Sequence, residues 1–240
     1  MLNLFKIERY KMRRFTPFYA SMGFLVFLVI YDLIVGIKQS YIDAFPNGRM
    51  YDGFKDGISD LSFSFLIGML IAWYVGIDFT NRTLHRVIVT GNQRWKIVIS
   101  QLMATSILTT IFHLGLAVET TIQYGRGFGY SFDGFNKKDI VWVGVVILQM
   151  IAMNAFYMLI AYICGNAYTA LFACVSVAFI GGNILRNLLY GNVIYDHSFL
   201  CFARSSSNSD LIPCAICAII AIVVFVTVII RFFNKRDVSN

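Results

Sequence analysis

The stretch of residues 61–102 reads LSFSFLIGMLIAWYVGIDFTNRTLHRVIVTGNQRWKIVISQL and sets the pattern for the rest of the chain. An apolar run over residues 61–77 is followed by a polar, basic connector that begins at Asp78, and a second apolar run begins at Ile97. Helices of about 17 to 25 apolar residues can cross the hydrocarbon core of a bilayer. The pattern therefore predicts membrane-spanning helices joined by short polar segments.

The composition extends this interpretation to the whole chain. The hydrophobic fraction is 58% and the charged fraction is 14%, whereas soluble domains are about 45 to 50% apolar and about 25% charged. We therefore predict an all-α membrane protein whose residues 1–240 form one transmembrane domain with six transmembrane helices. The expected spans cover residues 18–37, 61–77, 97–122 and 211–233, with two more inside 139–190 separated by Gly165, Asn166 and Ala167, and residues 38–60 form a polar segment after the first span.

Residues 1–15 are too polar to span but have the period of an amphipathic helix. Apolar side chains share one predicted face and basic side chains another, which is typical of a helix that lies in the membrane interface. The apolar face comprises Met1, Leu4, Phe5, Met12 and Phe15, and the basic face comprises Lys6, Arg9, Arg13 and Arg14. Glu8 falls within the apolar face, where it is either a solvated, snorkelling acid or a polar contact to a neighbouring helix.

The distribution of charge predicts the orientation of the chain. If both termini and the connector share one side, that side holds twelve of the twenty basic residues but only three of the thirteen acids. The basic residues are Lys6, Arg9, Lys11, Arg13, Arg14, Arg82, Arg86, Arg94, Lys96, Arg231, Lys235 and Arg236, and the acids are Glu8, Asp78 and Asp237. Cytoplasmic segments carry the excess of Lys and Arg, so both termini are predicted to be cytoplasmic. Because the net charge of +7 follows this membrane pattern, nucleic acid is not an expected partner.

The sequence lacks the motifs of common catalytic and cofactor sites. It contains no G-x-x-x-x-G-K-[ST] phosphate loop, no H-E-x-x-H and no G-x-S-x-G. His85, His113 and His197 lie in three different regions and share no helical face. We therefore predict no catalytic residue, no metal site and no cofactor on this chain, so that any ATP is handled by another polypeptide.

Ionisable residues inside predicted spans are informative, because a charge at the bilayer centre costs roughly 2.5 to 3.5 kcal/mol. Asp32, Glu119 and Arg186 lie toward the external ends of their spans. Snorkelling or a local salt bridge explains them in one interpretation. In the other, they line a polar vestibule or pair across helices to set its open and closed states, and Glu8 and Asp78 are further candidates for such pathway or gating roles.

The connector resembles the corresponding segment of the permease subunits of type-2 ABC exporters, of the small, six-span bacterial kind that includes the bacteriocin and lantibiotic immunity group. The matching positions are Asp78, Phe79, Thr83, Leu84, Gly91, Arg94 and the helix that begins at Lys96, together with the basic start that holds Glu8 and the F-x-K-R-D ending at residues 233–237. Two positions depart from the family pattern. The family more often has Glu in place of Asp78 and a basic residue in place of Gln101.

The resemblance implies that residues 79–95 form a cytoplasmic coupling helix that rests in a groove of a separate ATPase. The expected contacts to that ATPase are Arg82, Thr83, Leu84, Arg86, Val87, Ile88 and Arg94, with Leu84, Val87 and Ile88 as apolar anchors and the arginines as charged partners. A short amphipathic helix in a groove is a common way to bind a partner. The alternative interpretation is a basic interfacial loop that only fixes the topology.

The resemblance also implies a second permease chain, identical or different, around a central pathway in a bacterial plasma membrane. ATP and magnesium would bind the partner ATPase, and the cargo would be a peptide or another amphipathic molecule. Residues 181–210 would form a re-entrant or extracellular segment, in which Gly181, Gly182 and Asn183 either break a helix or allow close packing. A second function class remains open, namely a membrane sensor or assembly subunit that binds a cytoplasmic partner without moving cargo.

Overall fold

A computed structural model describes residues 2–35, 48–60, 62–131, 136–180, 188, 193–200 and 208–235 of the chain. Within these ranges every regular element is a helix and no strand is present. We label the helices α1 (Leu2–Arg13), α2 (Thr16–Val35), α3 (Met50–Ile58), α4 (Ser64–Thr80), α5 (Thr83–Val89), α6 (Arg94–Phe128), α7 (Lys137–Cys164), α8 (Ala167–Phe179), α9 (Val193–Asp196) and α10 (Asn208–Lys235). The expected all-α class is confirmed for this part of the chain.

Four helices are long and apolar enough to cross a membrane: α2, α6, α7 and residues Leu211–Lys235 of α10. A fifth is obtained if α4 and α5, which meet at 63°, count as one bent span. These helices are compatible with a multi-pass membrane protein. The helix α8 is apolar but has 13 residues, and residues 181–187 after it lie outside the described ranges, so six spans remain a prediction.

The helices α6 and α7 form the centre of the bundle. In the most apolar stretch of each helix, the buried share is 61% for α6 and 56% for α7. The corresponding share is 17% for α2 and 22% for α10. The two peripheral helices therefore turn most of their apolar side chains outward, as lipid-facing helices do. We call the end of the bundle that carries residues 81–93 the connector end and the opposite end the far end.

The helix α1 packs part of its apolar face on the bundle. Leu4 and Phe15 are buried, and the rings of Phe15 and Tyr74 meet edge to face at 5.1 Å. The amphipathic period of residues 1–15 is thus real, but its apolar side is satisfied inside the protein. The expected interfacial location of α1 is not tested by this packing.

The helix α3 was not expected within the polar segment 38–60. It begins with a capping contact in which the Arg49 backbone N–H donates to Asp52 Oδ2 at 3.0 Å. Its close approach to α6 depends on Gly53 and Gly57, because a Cβ at Gly57 would lie 2.0 Å from Thr120 Oγ1 and 2.7 Å from backbone atoms of α6. Two glycines four residues apart allow helix backbones to meet in this way.

The connector is shorter and more divided than the single helix expected over residues 79–95. The helix α4 continues through Thr80, α5 covers only Thr83–Val89, and α6 already begins at Arg94. Arg82 has a left-handed conformation with φ of 55°, and Gly91 has φ of 86°. Glycine is favoured at Gly91 because its missing Cβ permits this backbone conformation without strain.

Candidate functional site: a buried polar network beside the connector

Six polar residues from four helices meet at the connector end. This polar network comprises Glu8 and Lys11 of α1, Tyr74 and Asp78 of α4, Gln101 of α6 and Tyr162 of α7. Its members come from sequence segments up to 154 residues apart. The network therefore ties the N-terminal helix and both central helices to the span that leads into the connector.

Asp78 lies at the centre of the network. Its Oδ2 atom accepts hydrogen bonds from Lys11 Nζ at 2.5 Å and from Gln101 Nε2 at 2.7 Å. The Lys11 ammonium also donates to the Tyr74 carbonyl oxygen at 2.6 Å and lies 3.8 Å from the centre of the Tyr74 ring. A buried charge is tolerated when it is paired and hydrogen-bonded in this manner.

Glu8 extends the network along α1. Its Oε2 atom accepts a hydrogen bond from the Tyr74 hydroxyl at 2.5 Å, and the residue is only 6% exposed. Of the two alternatives for Glu8, the polar contact to a neighbouring helix is the one observed. Burial raises the pKa of Glu8 above its ordinary value of 4.5, and the Lys11 charge and the Tyr74 hydrogen bond offset part of that rise.

Gln101 joins the carboxylate of Asp78 to the central helix α7. It donates to Asp78 through Nε2 and accepts a hydrogen bond from the Tyr162 hydroxyl at Oε1, at 2.7 Å. An amide can make both contacts because it carries a donor and an acceptor. A basic residue at this position could not accept a hydrogen bond from the Tyr162 hydroxyl.

An aromatic cluster next to the network connects it to the C-terminal helix. The rings of Phe79 and Tyr162 are 5.1 Å apart, and those of Tyr162 and Phe233 are 5.2 Å apart. Arg94, the first residue of α6, donates to the Phe233 carbonyl oxygen, and its guanidinium lies 5.3 Å from the Phe233 ring. Arg94 therefore makes contacts within the chain, and its expected role as a charged contact to an ATPase stays a prediction.

The outer surface of the connector is formed by two of the expected contact residues, Arg82 and Arg86, and by Val89. Leu84 is 2% exposed and belongs to the core of the bundle, so it is not an available apolar anchor. Val87 and Ile88 are half-buried against the same core. The exposed side chains of the connector helix and its start are Arg82, Arg86 and Val89, with Val89 71% exposed. Thr83, the remaining expected contact, is half-buried.

The connector is also fixed to the turn between α7 and α8. The Ala167 backbone N–H donates to Thr80 Oγ1 at 3.1 Å. The turn follows the expected Gly165-Asn166-Ala167 pattern, since Gly165 has φ of 61° and Asn166 caps α8 by accepting the Tyr168 N–H at 2.9 Å. Movement of the last turn of α4 would therefore act directly on the start of α8.

Two of the remaining gating candidates, Asp32 and Glu119, lie at the far end and do not join the polar network. The carboxyl groups of Asp32 on α2 and Glu119 on α6 lie close enough to interact. Arg126 donates to the Asp32 carbonyl oxygen at 3.0 Å. Glu119 lies about 27 Å along α6 from Gln101, and a pathway or gating role for these two acids stays a prediction. Arg186 lies outside the described residues.

Polar side chains along the middle of α6 bond mainly to their own helix. The Thr105 hydroxyl donates to the Gln101 carbonyl oxygen at 2.9 Å, and the Thr109 hydroxyl donates to the Thr105 carbonyl oxygen at 3.0 Å. Thr109 Oγ1 also accepts from Asn154 Nδ2 of α7 at 2.6 Å. His113 Nδ1 is 2.9 Å from the Thr109 carbonyl oxygen. These contacts fit a packed, hydrogen-bonded interior.

Among the described residues, no group of three or more His, Cys, Asp or Glu side chains could hold a metal ion. The expected lack of a metal or cofactor on this chain stays a prediction. No protein-family model, curated protein or solved structure matches the chain. The function is therefore argued from the connector and the network beside it.

Sequence reasoning missed Lys11, Tyr74 and Tyr162 as members of the network. A signal for two of them was available. Lys11 follows Glu8 by three residues and Tyr74 precedes Asp78 by four, so each pair shares one helical face. Tyr162 gave no such signal, because a tyrosine in an apolar run is usually a packing or interface residue.

Proposed function

We propose that this chain is a permease subunit of an ATP-driven ABC exporter and that its connector docks on a separate ATPase at the cytoplasmic face. The observation that carries the proposal is the form of the connector. A seven-residue helix turns by 63° from the preceding span, holds Leu84 inside the bundle and leaves Arg86 and Val89 exposed. This arrangement suits a lever that is fixed to the spans on one side and accessible to a partner on the other.

Force applied to α5 would reach several helices through short, specific contacts. Thr80 connects the end of α4 to the start of α8, and Asp78 connects it to α1 and α6. Gln101 then reaches α7 through Tyr162, and Arg94 reaches α10 at Phe233. Coupling requires elements that move as units through such packed and hydrogen-bonded contacts. In this proposal, ATP and magnesium act on the partner ATPase, and the chain contributes the pathway.

A second permease chain would complete the pathway. The helix α8 supports this part of the proposal with exposed aromatic side chains, Tyr168 and Phe172, the latter 76% exposed. Aromatic residues are frequent in protein interfaces. The cargo in this proposal is a peptide or another amphipathic molecule. Asp32 and Glu119 at the far end would then belong to the outer gate.

Affinity purification of the tagged protein in mild detergent, followed by mass spectrometry and an ATPase assay, tests this function. We expect a P-loop ATPase to copurify with the wild type, and Arg86→Glu or Val89→Asp to abolish its recovery. Arg231→Glu, which reverses another exposed charge near the C-terminal end of α10, is the matched control and should retain the ATPase. Substitution of Leu84 is unsuitable, because this side chain is buried and its loss would disturb folding.

Recovery of a P-loop ATPase that the two connector variants lose would support the exporter. If a sensor kinase copurifies through the same connector and no ATPase does, the chain is a sensor or assembly subunit. A preparation that contains neither partner, or an ATPase that both connector variants retain, would contradict the proposed docking surface.

A further inference from the structure

The outward face of α1 carries basic and aromatic side chains that the polar network does not use. The exposed residues of this outward face are Lys6, Ile7, Arg9, Tyr10, Arg13 and Arg14. At 100° per residue they cover a continuous arc of about 160°. The opposite arc holds Leu4, Glu8 and Phe15, which are buried.

The charge of the outward face has one sign. Glu8 is the only acid among residues 1–15, and it is turned into the bundle. The four basic residues of the face therefore have no acid of α1 beside them. This differs from the inner face, where the Lys11 charge is compensated by Asp78.

One side of the face also carries exposed apolar and aromatic side chains, with Arg14 between them. Ile7 and Tyr10 are 45% and 57% exposed, and the Arg14 guanidinium lies 4.5 Å from the centre of the Tyr10 ring. Tyr19, in the second turn of α2, is 54% exposed and donates to the Arg13 carbonyl oxygen at 3.2 Å. Tyrosines of this kind are enriched where a membrane meets water.

We propose that the outward face of α1 binds the headgroups of anionic phospholipids. Their phosphates suit Lys6, Arg9 and Arg13, since guanidinium and ammonium groups donate strong hydrogen bonds to phosphate oxygens. Ile7 and Tyr10 suit the boundary between headgroup and acyl chain. An acidic protein would match the charge but not these exposed apolar and aromatic side chains, and α1 runs directly into α2, a candidate span. A lipid surface is therefore the occupant that matches both properties.

Bound lipid would act on the connector through the inner face of the same helix. Glu8 and Lys11 contact Tyr74 and Asp78, which lie in the last two turns of α4, just before α5. Lipid that keeps α1 at the membrane surface would also keep these side-chain contacts between α1 and α4 in place. The arrangement makes the position of the connector sensitive to the anionic lipid content of the membrane.

Native mass spectrometry of the delipidated full-length protein, titrated with phosphatidylglycerol or phosphatidylcholine, tests the proposal. We expect the wild type to bind phosphatidylglycerol at least about tenfold more tightly than phosphatidylcholine, on the scale of several basic residues at an anionic surface. The variant Lys6→Gln/Arg9→Gln/Arg13→Gln/Arg14→Gln should lose this preference. The control Arg231→Gln/Lys235→Gln, which removes two exposed charges from the end of α10, should keep most of it.

An unchanged preference in the fourfold variant would overturn the proposal, as would equal loss in the control. Tighter binding of soluble polyglutamate than of phosphatidylglycerol would also overturn it, in favour of an acidic protein. Thermal unfolding in phosphatidylcholine shows whether the fourfold variant is folded. If it is not, the double variant Arg9→Gln/Arg13→Gln replaces it and should lose at least half of the preference for phosphatidylglycerol. No ATPase is present in this experiment, so its failure and that of the exporter proposal are distinguishable.

Discussion

Asp78 shows at the scale of single residues how the connector end is held together. One carboxylate oxygen of Asp78 accepts hydrogen bonds from the Lys11 ammonium of α1 and the Gln101 amide of α6. Each donor group is held by a second contact, Lys11 to the Tyr74 carbonyl oxygen and Gln101 to the Tyr162 hydroxyl. Such a network is stable only while every member is satisfied. Removal of one member therefore costs more than the loss of a single hydrogen bond.

Asp78→Ala should lower the stability of the detergent-solubilised protein by about 3 kcal/mol, because it leaves the half-buried Lys11 ammonium and the buried Gln101 amide without their acceptor. Lys11→Met/Asp78→Leu, which removes both members of the ion pair, should cost clearly less, since no ammonium group is left without its carboxylate. Thermal unfolding monitored by circular dichroism measures both. A double variant that is at least as destabilised as Asp78→Ala would contradict the role assigned to this ion pair.

Glu8 gives the network a predictable response to pH. Because its pKa is raised in the folded protein, the folded state binds a proton that the unfolded state has released, so stability falls as pH rises from 4.5 through the higher folded-state pKa. Glu8→Gln keeps an acceptor for Tyr74 and removes this titration. The unfolding midpoint of the wild type should therefore decline relative to Glu8→Gln above pH 4.5, and a constant difference across that range would contradict the assignment.

Some of these residues were predictable and others were not. The position of Glu8 within an apolar face indicated a buried or snorkelling acid. In the structure Glu8 is buried and contacts Tyr74. Leu84 illustrates the opposite case. Its place on a short amphipathic segment is equally consistent with docking on a partner or on the protein's own spans, and periodicity cannot distinguish the two surfaces.

At the scale of elements, α3 and the connector depend on close approaches that a hydropathy pattern does not register. The helix α3 has charged residues, yet Gly53 and Gly57 bring it against α6, and Tyr124 donates to Asp56 Oδ2 at 2.6 Å. Lys55 adds an ion pair of 2.9 Å to Asp139 of α7. The polar composition of residues 38–60 concealed this helix, because its stability comes from tertiary contacts. Its glycine spacing was the available signal.

Gly57→Ala should destabilise the protein by about 1 to 3 kcal/mol, because the new methyl group would meet backbone atoms of α6 that cannot easily move. Gly144→Ala is the matched control. It lies in a helix with no heavy atom within 4 Å of the new Cβ, so it should be neutral or stabilising by up to about 1 kcal/mol. Unfolding midpoints of the two variants measure the difference. Equal effects would show that α3 does not pack on α6 as described.

At the scale of the whole molecule, the chain combines a well-buried pair, α6 and α7, with peripheral helices whose exposed surface is apolar. Composition and hydropathy predicted this all-helical, membrane-type architecture, because the length and polarity of the runs follow directly from the requirements of a bilayer. The turn at residues 165–167 was predictable from its Gly-Asn signal. The packing order of the helices was not, since it depends on contacts such as that between Gly76 and Ala167.

In the proposed exporter, the exposed side of the connector contacts an ATPase. A photoreactive amino acid placed at Val89 in the full-length protein, with irradiation of intact cells, tests this contact most directly. Val118 on α6, which is similarly exposed but far from the connector, is the control position. We expect a covalent adduct to a P-loop ATPase from residue 89 and none from residue 118. No ATPase adduct from residue 89 in membrane-inserted protein, or an equal adduct from residue 118, would contradict this proposal.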